Sequence, residues 1–143
     1  SGYHSAFSGP FTVASAFYSE HGLGLFHEDF TDEAAKDPKK LALAAKVTCE
    51  PSAECDAIFP YQFPAVLTAT MNDGTELTEK VLVNRGGPGN PLSEAELGTK
   101  FELNAVETMD VTQAHTLHNA ITELATGATT PRQVGAMLQR RNP

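Results

Sequence analysis

The chain has 143 residues, 41% apolar and 20% charged, with a formal net charge of -8. That length supports one domain's worth of core, and no apolar run approaches the roughly 20 residues of a membrane-crossing helix. The acidic balance argues against a nucleic-acid binder, whose affinity needs Lys and Arg on phosphates, and no basic start with an apolar core marks a secretory signal, so a cytoplasmic protein is expected.

Pro10 suits a first helical turn, and Phe11, Val13, Ala14, Phe17 and Tyr18 follow at near-helical spacing, which predicts a first helix over 11–18. Asp37-Pro38 opens a short second helix through Leu41, Leu43, Ala44 and Ala45, leading into Lys46-Val47-Thr48-Cys49, which reads as a strand. Pro51 to Pro64 reads as a loop anchored by Ile58, Phe59 and Phe63. Ala65 to Met71 and Thr75 to Asn84 are rich in Val, Leu and Thr. With Asn72-Asp73-Gly74 between them, residues that tolerate positive φ, they predict a hairpin.

The run from Asn84 to Phe101 joins a glycine-rich turn to a helix start, where Ser93 and Glu96 form a capping box. Three helices are expected to close the chain: Glu94 to Val106, Val111 to Ala125, and Pro131 to Arg140. Gly127 can end the second of them. Thr130, Pro131 and Gln133 start the third with cap, first-turn proline and capping-box partner. The order of helix, strand, hairpin and helices gives an α+β domain with a small antiparallel sheet, formed with the hairpin and packed with helices, and a carboxyl-terminal helical segment.

Candidate chemistry is sparse. Tyr3, His4 and Ser8 cluster before the first helix, whose backbone donors suit a carboxylate; the alternative is that Ser8 caps the helix while His4 and Tyr3 are partly exposed. His115 and His118 lie three apart on one helical face, yet a metal site needs further ligands that no pattern supplies. The turn Arg85 to Asn90 lacks the lysine and hydroxyl of a phosphate loop. His21 and His27 flank Gly22-Leu23-Gly24 without forming a dyad. No nucleophile elbow, metalloprotease helix or Cys–His pair is present. Catalytic residues are therefore unassigned, and neither metal nor cofactor is expected. Cys49 and Cys55 match no metal or redox spacing and read as reduced thiols, the alternative being a disulfide across the short loop between them. Arg132, Arg140 and Arg141 form a basic end that reads as a solvated helix terminus, suited to the dipole there, the alternative being contact with an acidic partner.

Five pieces, in order, carry a resemblance: SAFSGPFTVASAF at 5–17, FTDE at 30–33, KVTCE at 46–50, LTATMNDGTELTEKV at 67–81 and NRGGPGNPLSEAELGTKF at 84–101. From Ser1 to about Ala105 the chain resembles the carboxyl-terminal domain of the MmgE/PrpD family, which includes 2-methylcitrate dehydratase and cis-aconitate decarboxylase. The resemblance implies a small lid-like domain over 1–105, truncated at its start. Helices over 106–143 are then expected to pack on a separate helical domain or partner. It also implies metal-independent lyase chemistry on a di- or tricarboxylic acid, in a cleft completed by a helical chain or by a homo-oligomer. Ser8 and His4 would bind substrate. Where the family carries a cation and a phenol beside that serine, this chain has Ala6 and Phe11. Two other readings follow: a non-catalytic interaction module that retains the fold, and a small-acid binding domain.

Overall fold

Side-chain caps set where most helices begin. The computed structural model describes residues 1–20 and 22–138. Helices α1 (Gly2–Ser5), α2 (Gly9–Ala16), α3 (Pro38–Ala44) and α4 (Ala53–Asp56) precede a hairpin of β1 (Ala65–Thr70) and β2 (Glu76–Val81). Helices α5 (Glu94–Ala105), α6 (Val111–Leu124) and α7 (Pro131–Met137) follow it, and two 3-10 turns, His27–Phe30 and Ala34–Lys36, lie between α2 and α3. The result is an α+β fold with a carboxyl-terminal helical segment.

The capping oxygens are those the sequence offers. Ser8 Oγ accepts the Phe11 N–H at 3.3 Å, Asp37 that of Lys39 at 2.8 Å, and Asp110 that of Gln113 at 2.9 Å. Ser93 with Glu96 and Thr130 with Gln133 close both expected capping boxes, each satisfying donors that a helix start leaves unpaired.

In the amino-terminal half α2 packs on α3, and α1 on the two 3-10 turns. Phe11, Ala14 and Phe26 are buried there. Gly2 meets the chain closely: a Cβ at this position would lie 1.8 Å from the Phe30 carbonyl oxygen, while the Gly2 N–H donates to Asp32 Oδ1 at 2.7 Å. Beside this contact is a buried ion pair. Asp29 accepts Lys40 Nζ at 2.9 Å and the Phe26 N–H at 3.1 Å, and the Lys40 ammonium lies 5.9 Å from the Phe11 ring centroid. In the carboxyl-terminal half, α6 contacts α5 and α7. Leu117, Ala120 and Val134 are buried there against Phe101, Met109 and Leu124.

The hairpin pairs Ala65 with Val81 through to Thr70 with Glu76. Its turn is a three-residue loop closed by Gly74 N–H to Met71 O at 3.0 Å and Met71 N–H to Thr75 O at 2.8 Å. Gly74, at φ 85°, takes the left-handed position; no other residue type has positive φ among the described residues, so Asn72 and Asp73 do not share that role. Both faces of the hairpin are exposed, with Ala69 alone half-buried among its strand residues. Two strands without a packed face are marginal in water. The accessible surface of 10708 Å² compares with roughly 7,100 Å² expected for a compact chain of this mass, so the fold is extended for its size.

Several expectations are corrected. Lys46 to Cys49 is not a strand: Lys46 N–H and Val47 N–H fold back on Leu43 O and Ala44 O as α3 ends, and the sheet has two strands. Pro51 to Pro64 contains α4, capped by Ser52 Oγ on the Cys55 N–H at 3.4 Å. Within it Ile58 is half-buried, but Phe59 and Phe63 are exposed and pack edge to face on each other at 5.7 Å, so these two do not anchor the loop. The first expected helix spans Gly9–Ala16, leaving Phe17 and Tyr18 exposed beyond it. The one-turn α1 was not anticipated. His21, Arg140, Arg141 and the end of the last expected helix lie outside the described residues. No helix among the described residues is long and apolar enough to cross a membrane.

Candidate functional site

The cluster before α2 is built from two short elements. His4 lies on α1 and is exposed, its Nδ1 2.8 Å from Ser1 Oγ and its ring edge-on to Tyr3 at 5.8 Å between centroids. Ser8 is half-buried and caps α2, so its oxygen serves the Phe11 N–H. A hydroxyl that accepts one bond keeps its own proton to donate. Ser8 can therefore cap the helix and still offer an O–H to a carboxylate. Ala6 is exposed beside it, and Phe11, only 4% exposed, directs its ring into the core beneath Lys40. The Lys40 charge is committed to Asp29, so it does not replace a cation at Ala6.

His115 and His118 do come together, around a partner the sequence did not single out. His118 Nδ1 lies 2.7 Å from Glu102 Oε1 on α5, and His115 Nδ1 lies 3.6 Å from the same oxygen. Gly98 makes room for the His118 ring: a Cβ there would stand 2.5 Å from its Cε1. The arrangement joins α5 to α6. Among the described residues no group of three His, Cys, Asp or Glu could hold a metal ion. Cys49 and Cys55 are free thiols.

The glycine-rich turn is closed by its own backbone, with Gly86 N–H to Asn90 O at 2.7 Å and Asn90 N–H to Gly87 O at 3.0 Å. Arg85 ties it to α5 through an ion pair with Glu96. Glu96 thus serves both the capping box and the turn. The Ser93 amide and hydroxyl, with a smaller share from Arg85, hold its carboxyl below the usual range. The run that joins turn to helix start in the sequence is thus tied together by one shared carboxylate.

A cleft between the 23–30 segment and α5 was also missed. Leu23, Leu25, Phe26, His27, Phe30, Lys100 and Asn104 line it. Its two sides are 70 or more residues apart in sequence, and no local pattern signals their meeting.

Comparison with known proteins bears on this geometry in one respect. No curated protein and no solved structure matches the chain. The family model of the MmgE/PrpD C-terminal domain matches residues 1–126, which takes in α1 through α6, the hairpin and the Ser8 cap. The chain belongs to the MmgE/PrpD C-terminal domain family.

Proposed function

We propose that this chain is the small-domain part of an MmgE/PrpD-like lyase acting on a di- or tricarboxylic acid, completing an active-site cleft with a helical partner. The observation that carries the reading is the family match over residues 1–126. It is supported by the unusually large accessible surface and by exposed Val111, Ile121, Met137 and Leu138 on the closing helices, which suit packing against another body. In this reading 1–105 forms the lid over substrate and 106–143 docks on the partner.

The chemistry is dehydration, decarboxylation or epimerisation next to a carboxylate. For dehydration or epimerisation a base on the partner removes the α-proton, with an acid there protonating the departing hydroxyl or returning the proton to the other face. For decarboxylation the C–C bond breaks, CO2 leaves and that acid delivers a proton to carbon. In each case donors on this chain hold the carboxylate. The Ser8 O–H is one such donor, since its oxygen is already satisfied by Phe11. His4 contributes the ring nitrogen not turned toward Ser1. The test is turnover of cis-aconitate and 2-methylcitrate by the assembled complex. Ser8→Ala and His4→Ala should each lower it roughly tenfold, the loss of one charge-assisted hydrogen bond. Unchanged turnover in both variants would remove these residues from the site.

A second reading, a non-catalytic interaction module, is favoured by Ala6 and by the buried Phe11 ring, which put neither a cation nor a phenol at these two positions. It expects a tight complex with no turnover of either acid.

A further inference from the structure

The cleft between the 23–30 segment and the middle of α5 encloses about 380 Å³, within the range of small-molecule sites. Leu23, Leu25, Phe26 and Phe30 give it an apolar lining, while Lys100 and Asn104 enter from α5 and His27 from the first 3-10 turn. Three acids on the elements around the cleft are committed elsewhere. Glu96 is held by Arg85 and Ser93, Glu102 by His118 and His115, and Asp29 by Lys40. The Lys100 ammonium has no ion-pair partner among the described residues. Asn104 Nδ2 donates to the Lys100 carbonyl at 2.7 Å, which holds the amide against its own helix.

We propose that this cleft binds a small aliphatic monocarboxylate, its head on the Lys100 ammonium and its tail against Leu23, Leu25, Phe26 and Phe30. One unpaired cation matches one carboxylate. A second carboxylate would be set against apolar side chains and lose its hydration without a counter-charge. A phosphate is poorly served as well, because no arginine is among the described residues that line the cleft. The site shares no residue with Ser8 and His4, so it stands or falls separately from the lyase reading.

The test is an NMR titration of the full chain with hexanoate, hexan-1-ol and tricarballylate. Hexanoate should saturate, with shifts concentrated on the amides of 23–30 and 100–104, and should bind more tightly than either competitor. Lys100→Met should weaken hexanoate roughly fivefold or more, the loss of a charge-assisted contact. Lys39→Met, an exposed lysine on α3, should leave it unchanged. Lys100 is exposed and unpaired, so its variant should keep the wild-type spectral dispersion, and Lys100→Gln provides a second neutral form. Equal binding of hexan-1-ol, tighter binding of tricarballylate, indifference to both Lys100 variants, or no saturable shift would each overturn the proposal.

Discussion

Replacing Gly98 by Ala sets two effects of opposite sign against each other. In an unconstrained helix the added methyl stabilises by about 1 kcal/mol. On α5 it would stand 2.5 Å from His118 Cε1 and 2.9 Å from Nε2, so the ring has to leave its place against Glu102 Oε1, 2.7 Å from Nδ1. The two side chains are 31% and 29% exposed, burial enough for the bond to count. Losing a hydrogen bond to a carboxylate costs about 1.5 kcal/mol or more, and crowding a packed contact adds about 1 kcal/mol. The clash should win by about 1.5 kcal/mol, a fall of roughly 5 °C in Tm. Thermal unfolding of Gly98→Ala, His118→Ala and the double variant reads this directly. Once His118 is Ala, the same Gly98→Ala change should become stabilising by about 1 kcal/mol. If Gly98→Ala stabilises equally in both backgrounds, the close approach of α5 and α6 at this point is wrong.

Lys40→Met leaves Asp29 buried without its counter-charge and should cost about 3 to 5 kcal/mol in urea unfolding; a loss under 1 kcal/mol would mean that the pair is solvated. Ser15 is fully buried and its Oγ has no hydrogen-bond partner among the described residues, so Ser15→Ala should stabilise by about 1 kcal/mol, whereas destabilisation would reveal a partner for that hydroxyl. Acid should weaken the fold through Glu96, Asp32 and Asp73, whose carboxyls are lowered by bonds from Ser93, Gly2 and Thr75 respectively. Because their folded values lie below the unfolded ones, the stability they add is full above about pH 5 and is lost as pH falls through the lowered values. Glu96→Gln keeps the capping box but cannot titrate, so its acid-induced loss, followed by circular dichroism from neutral to low pH, should be smaller than that of the parent. An identical loss would refute the role of Glu96.

What was legible in the sequence was local. Ser93 with Glu96, Thr130 with Gln133, and Asp37 before Pro38 mark helix starts because cap and orphan N–H lie within one turn of each other. The hairpin was readable from Gly74 and its Thr- and Val-rich flanks for the same reason. What failed depended on distant partners. Val47 and Thr48 favour a strand, but a strand needs an edge to pair with, and none reaches them. Phe59 and Phe63 looked like anchors because aromatic rings usually bury; the surface that would cover them is not provided by this fold. The contact of Gly2 with Phe30, the Asp29–Lys40 pair and the Gly98–His118 approach each join different elements, so spacing within any one element carries no trace of them.

The candidate site divides in the same way. Ser8 as a helix cap followed from its position before Pro10, and its remaining hydroxyl proton follows from that geometry. The cleft that brings His27 to Lys100 arises from how the 23–30 segment lies against α5, which no local signal encodes.

The central claim is that this chain closes a lyase active site together with a helical partner. Its most direct test is affinity capture of the tagged chain from source-cell lysate, counting the co-eluting chains by mass spectrometry and assaying the eluate with cis-aconitate and 2-methylcitrate. The expected result is a helical MmgE/PrpD-like chain in equal proportion and turnover of one of the acids. Recovery of the chain alone, with neither acid consumed, would contradict it.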